Sequence, residues 1–195
     1  MGISMRYINF IIILFLLSSC ATTDNGTTTS SGYEPSIQSP DEIIRYKKGL
    51  VFLNNNELEE ARNIFLDFNK TRPELAGPYA NLAVIKIKEN DYDSAFELVN
   101  LSLRKNPQLP QALNLLAFLE EKKGNIKSAE INYLKAIEHK EDYALAHYNL
   151  ALLYDIYMQD INKAILHYER YMQLTGYKDK KTADWLEQIK SQNKG

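Results

Sequence analysis

One thiol and three imidazoles are the side chains of this sequence best suited to chemistry, and their spacing limits what they can do. Cys20 is the only cysteine in 195 residues. It cannot close an internal disulfide, and a zinc site built on several thiolates is excluded with it. A lone thiol can still accept one covalent group. His139, His147 and His167 stand eight and twenty residues apart, with no HExxH spacing and no cysteine partner, so they read as surface or packing histidines. The carboxylates that cluster, from Glu57 to Glu60 and at Glu120 and Glu121, fall at helix starts or on polar faces, where they favour the helix or stay solvated. The eight glycines never gather into a loop that cradles phosphate. With a net charge of -2 and a pI near 6.0, there is no basic stripe to neutralise a nucleic-acid backbone. No catalytic residue, metal ligand, cofactor or nucleic-acid partner is therefore expected.

The residues around Cys20 suggest what its covalent group would be. The stretch from Ile8 to Leu17 is apolar apart from Asn9 and follows Arg6, the sole charge before it. It is about half the roughly 20 residues a bilayer-spanning helix needs. A positive start, a short apolar core and then small residues describe a secretory signal at 1–19, with Met1 and Met5 both candidate starts. Leu17, Ser18, Ser19 and Cys20 resemble the lipobox of bacterial lipoproteins: an aliphatic residue and two small ones before a cysteine that is acylated as the leader is removed. The resemblance implies lipidation of Cys20 by palmitate-type chains, each burying methylenes at about 0.8 kcal/mol apiece. A cysteine buried in an uncleaved signal anchor is the alternative. Ala21 stands where an aspartate would resemble an inner-membrane retention signal, which implies the periplasmic face of the outer membrane. Residues 20–41, dominated by Thr, Ser, Gly and Pro, cannot bury enough surface to fold. They read as a lipidated cysteine and a flexible tether of about 20 residues spanning roughly 25 Å.

After Pro40 the pattern turns helical and repeats. Gly49, Ala83, Ala117 and Ala151 recur at a constant interval of 34, and Ala61, Ala95, Ala129 and Ala164 follow at intervals of 34, 34 and 35. Phe65, Val99, Tyr133 and Tyr168 keep the same phase and supply a large group each time. These rows resemble the tetratricopeptide repeat family. The resemblance implies an all-α, right-handed solenoid of two-helix units, in which the small residue of the first helix lets the second approach. Within 42–178 the units fall at 42–75, 76–109, 110–143 and 144–178. NNNELEEA, ENDYDSA, KKGNIKSA and MQDINKA form the turns, and Pro73 and Pro107 close the first two units. Glu141 and Gly176 occupy the positions of that proline in the other two, and unit four carries one extra residue within YMQDINKA. Arg45 and Lys48 stand where later units have large or aliphatic residues, such as Tyr79 with Leu82 and Leu113 with Leu116, as a solvated terminal unit requires. Residues 179–195 read as a capping helix and tail anchored by Trp185 with Leu186 and Ile189; a partner-binding helix is the alternative.

In that family the first helices line the inner wall of the superhelix. Carrying its groove positions over gives Tyr46, Leu50 and Leu53 in unit one, and Ala80, Asn81, Val84 and Ile87 in unit two. Units three and four add Asn114, Phe118 and Glu121, then Tyr148, Asn149 and Leu152. Leu50, Val84, Phe118 and Leu152 recur at that same interval and are expected to form an apolar stripe for a peptide with spaced hydrophobic anchors, whose backbone the asparagines could fix. Packing between neighbouring first helices is the competing use of the same stripe. The lysine, asparagine and arginine clamp by which some members hold a carboxyl terminus is incomplete, with Lys47, Asn81 and Asn149 its only polar remnants. Most of the C-terminal tyrosines, Tyr143, Tyr154, Tyr157, Tyr168, Tyr171 and Tyr177, are expected to pack between helices.

The function these features imply is not enzymatic. A membrane-anchored scaffold lipoprotein that binds a protein or peptide resembles the pilotin-like factors that help a secretin or type IV pilus assemble, although those usually carry more repeats. An adaptor recruiting cell-wall enzymes is the alternative in the same class, and a hydrolase with an unrecognised site is the alternative outside it. The oligomeric state is left open.

Overall fold

The computed structural model describes residues 37 and 39–193; the signal segment, Cys20 and most of the tether lie outside the described residues. Within them the chain is all-α: α1 Pro40–Asn54, α2 Leu58–Thr71, α3 Ala76–Lys88, α4 Tyr92–Lys105, α5 Pro110–Lys122, α6 Ile126–His139, α7 Ala144–Leu152, α8 Ile161–Leu174 and α9 Lys180–Gln192. Local chemistry sets the ends of these helices. Pro40 and Pro110 open α1 and α5, where a missing N–H costs nothing. Asp91, Asp160 and Asp179 cap α4, α8 and α9, each accepting from the backbone N–H three residues on at 3.2 Å. Each hairpin turns on one residue of positive φ, Asn56, Asn90, Gly124 and Gln159, at 64°, 61°, 82° and 54°. Glycine and asparagine tolerate that conformation better than most residues.

Each second helix packs between its own first helix and the next one, and α3 also touches α5 as α5 touches α7. The first helices thus form one layer whose neighbours meet, and the second helices form the other. The periodic small residues make this approach possible: Ala61, Ala83, Ala95, Ala117, Ala129, Ala151 and Ala164 have no exposed surface. The large row fills the space beside them, with Phe65, Val99 and Tyr133 fully buried and Tyr168 nearly so. Each such side chain contributes about 1.5–3 kcal/mol of burial. The fit is tightest at Gly49, where an added Cβ would meet Ile64 Cγ2 and Phe65 Cζ at 3.0 Å.

The structure refines one expectation and corrects another. The extra residue of unit four, expected within YMQDINKA, is taken up where α7 continues as a π turn over Leu153–Met158, which includes the first two residues of that stretch. Ala151 to Gln159 spans eight residues where Ala117 to Gly124 spans seven. A π turn takes in one more residue than an α turn, so the insertion is absorbed without shifting α8 out of phase. In α9, Leu186 and Ile189 bury against the core of unit four, whereas Trp185 is 38% exposed and is not the anchor. Its Nε1 donates instead to Asp155 Oδ2 at 2.8 Å. Of the C-terminal tyrosines, Tyr154 and Tyr168 are buried and Tyr143 and Tyr171 half-buried, while Tyr157 and Tyr177 are exposed.

Candidate partner-binding site

The face of the first helices is built from polar cross-links as well as apolar packing. Asn81, 1% exposed, donates through Nδ2 to Tyr46 Oη at 2.7 Å and accepts from Gln111 Nε2 at 2.9 Å. Asn149 Nδ2 donates to Asn114 Oδ1 at 3.0 Å. Tyr46 sets its ring edge-on to Phe65 and Phe68, with centroids 5.6 and 5.3 Å away, and its hydroxyl leaves only 2.5 Å for a Cβ at Gly77. Burial pushes that phenol well above its ordinary range. The asparagines expected to grip a peptide backbone are therefore committed to joining one unit to the next. A buried amide must be hydrogen-bonded, and the facing helix is the nearest partner.

The apolar stripe is likewise divided. Val84 has no exposed surface, and Leu53, Ala80, Ile87 and Asn114 are also buried, so none of these five can meet a partner. The approach of α3 to α5 and of α5 to α7, with the packing of first helices on second helices, covers them. Leu50 and Phe118 pack against the same core as Val84 but keep part of their surface, as does Leu152 on the core of unit four. Tyr148 and Asn149 are half-buried beside Leu152. Phe118 lies 6.4 Å from the Tyr92 ring, with Lys122 Nζ 5.1 Å above its own centroid.

A carboxylate stands beside each anchor of units three and four. Tyr133 Oη donates to Glu121 Oε2 at 3.2 Å, and Tyr168 Oη donates to Asp155 Oδ2 at 3.2 Å. Asp155 also accepts from Trp185, and the Tyr157 hydroxyl approaches Glu121. Desolvation pushes the Glu121 carboxyl above its ordinary value, against the opposing hydrogen bond from Tyr133. Sequence reading included Glu121 but missed Asp155, although the signal was present in two columns. Leu53, Ile87, Glu121 and Asp155 recur once per repeat, and they change from apolar to acidic where the large row Phe65, Val99, Tyr133 and Tyr168 changes to tyrosine. A phenol at the core needs an acceptor, and a carboxylate at the facing position provides it. The accessible half of the face is thus aromatic, aliphatic and acidic.

His147 and His167, unrelated in sequence spacing, meet with Nδ1 atoms 3.0 Å apart, and His147 Nε2 lies 3.1 Å from the Glu141 carbonyl. Because the carbonyl can only accept, His147 carries its proton on Nε2 and takes the Nδ1–H of His167. Burial holds both below the ordinary histidine range, His167 down to about 4. Among the described residues no group of three or more His, Cys, Asp or Glu side chains could hold a metal.

Residues 110–143, which α5, α6 and their turn occupy, match the tetratricopeptide repeat family. No curated protein matches the chain by sequence. Among solved structures, TTC0263, a thermophilic repeat protein of Thermus thermophilus, superposes with a TM-score of 0.63 at 16% identity, covering 77% of this chain and 81% of its own. The MamA protein does so with a TM-score of 0.53 at 18% identity over 77% and 88%. The first repeat domain of Spaghetti (RPAP3), bound to the HSP90 peptide SRMEEVD, gives 0.55 at 18% identity over 62% and 94%. The chain thus carries one matched tetratricopeptide repeat at 110–143 and shares the fold of these tetratricopeptide-repeat solenoids.

Proposed function

We propose that the protein is a membrane-anchored scaffold lipoprotein that holds a partner protein or peptide, with hydrophobic anchors, on the first helices of units three and four. One observation carries the reading: Phe118 and Leu152, one repeat apart, keep exposed surface while Val84 between Leu50 and Phe118 has none. Two aligned anchors with Tyr148 and Tyr157 beside them suit an extended or helical segment with matching side chains. Glu121 and Asp155 favour a neutral or basic segment over an acidic one. A carboxylate-rich ligand such as the peptide held by RPAP3 would find these acids opposing it and the asparagines already paired. Acylation of Cys20 would hold the domain at the periplasmic face of the outer membrane, a position suited to assisting the assembly of an envelope machine such as a type IV pilus or secretin.

The test is co-purification from solubilised membranes with the full chain, wild type against Phe118→Glu/Leu152→Glu and against Cys20→Ser. The first variant is expected to stay helical and membrane-bound but to lose its partner, and the second to leave the membrane. Unchanged partner recovery by the double variant moves the binding site elsewhere, and firm membrane retention of Cys20→Ser sinks the anchor.

A further inference from the structure

The first unit exposes a surface that every later unit largely buries, with Leu116 of α5 half-buried. Pro78, Leu82 and Ile85 of α3 are buried, as are Ala112 and Leu119 of α5 and Ala146, Leu150 and Leu153 in unit four. In α1 the same positions hold Ile44, Lys48 and Val51, and with no unit before them among the described residues Ile44 is 66% and Val51 55% exposed. Seven residues apart, the two lie one above the other on the helix, with exposed Lys47 on one flank and Lys48 on the other. The acids near this face are largely spoken for. Glu42 accepts from Arg72 at 2.8 Å and Asp67 is paired with Arg45, which leaves Asp41. The opposite end of the solenoid is closed by α9.

Charge decides among occupants. An antiparallel pairing with a second copy that set Ile44 on Val51 would place its two-fold axis between Lys47 and Lys48, bringing four ammonium groups to the centre of the contact. A surface of anionic headgroups has the opposite requirement: two aliphatic side chains flanked by lysines are what an interfacial helix presents. We infer that α1 is the membrane-facing end of the domain, with Ile44 and Val51 entering the interfacial layer and Lys47 and Lys48 meeting anionic lipid. The inference rests on the lipid-anchor reading, because Ser39 follows Cys20 by about 20 residues, a stretch that even fully extended holds α1 within about 65 Å of the acyl group. Two side chains are too few to hold the chain to a membrane alone. Once an acyl anchor supplies the local concentration, they orient it. The partner face of units three and four is then held at the end away from the bilayer.

The experiment uses the full lipidated chain in vesicles of phosphatidylcholine with phosphatidylglycerol, against phosphatidylcholine alone. With Cys20 consumed by lipid, Val51→Cys supplies one thiol for an environment-sensitive fluorophore, and Leu166→Cys on α8 is the control at an exposed site far from α1. The label at 51 is expected to shift to the blue and be quenched by spin-labelled lipid in the anionic vesicles, while the label at 166 stays in water. Adding Lys47→Gln/Lys48→Gln should lower the ratio of docked to free domain about thirtyfold with flotation unchanged. A floating chain whose label at 51 is as wet as that at 166 overturns the docking alone. A blue shift already present without vesicles assigns the face to protein and overturns it too. Failure to float overturns the anchor reading and the docking with it.

Discussion

Replacing Asn81 by alanine separates a residue that holds repeats together from one that holds a partner. Its amide is 1% exposed, donates to the Tyr46 hydroxyl at 2.7 Å and accepts from Gln111 at 2.9 Å. Losing two hydrogen bonds at about 0.5–1.5 kcal/mol each, and stranding a buried phenol oxygen at about 1–3 kcal/mol, puts the cost at about 2–6 kcal/mol. At about 2–4 °C per kcal/mol for a domain of this size, the midpoint of thermal unfolding should fall by about 4–24 °C. Circular dichroism melts measure this directly. The Tyr46→Phe variant removes the stranded oxygen, so in Tyr46→Phe/Asn81→Ala the two costs should sum to less than the singles by about 1–2 kcal/mol. Strict additivity would refute the cross-link. So would a fall below about 2 °C accompanied by loss of partner, which would return Asn81 to the binding surface.

Gly49→Ala should destabilise despite the better helix propensity of alanine: a Cβ 3.0 Å from Ile64 and Phe65 costs about 1–3 kcal/mol of overpacking against roughly 1 kcal/mol gained. Urea titration checks the sign, and a net gain would show that α1 and α2 can separate freely. Acid should act through His147 and His167. Their folded pKa values are depressed, so the unfolded chain takes up protons first, and stability present above about 6.5 is lost as pH falls towards about 4. Discounted for the partial exposure of His167, the loss is about 1–2 kcal/mol. Unfolding free energies measured across that window should flatten in His167→Gln, and an unchanged slope in the variant would clear the pair of this role.

The repeat was legible because each unit states it locally. A small residue where two helices cross and a large one beside it are demands that every hairpin makes within its own repeat, so Ala83, Ala95 and Val99 announce themselves by phase alone. The half-open groove was not legible, because whether Val84 or Asn81 is covered depends on how near a neighbouring unit comes. The form of the insertion was hidden for a similar reason. Sequence spacing shows that unit four is one residue longer, but a longer turn and a π turn satisfy the same spacing, and only the backbone hydrogen bonds of Leu153–Met158 distinguish them.

By itself, then, the sequence determined the all-α architecture and the order of its hairpins, both of which follow from residue type and period. The tertiary structure alone decided which inner-face residues remain available. It paired the asparagines across units, joined two histidines twenty residues apart, and brought the Trp185 indole to Asp155. These outcomes depend on contacts between separate helices, whose distances no local pattern encodes.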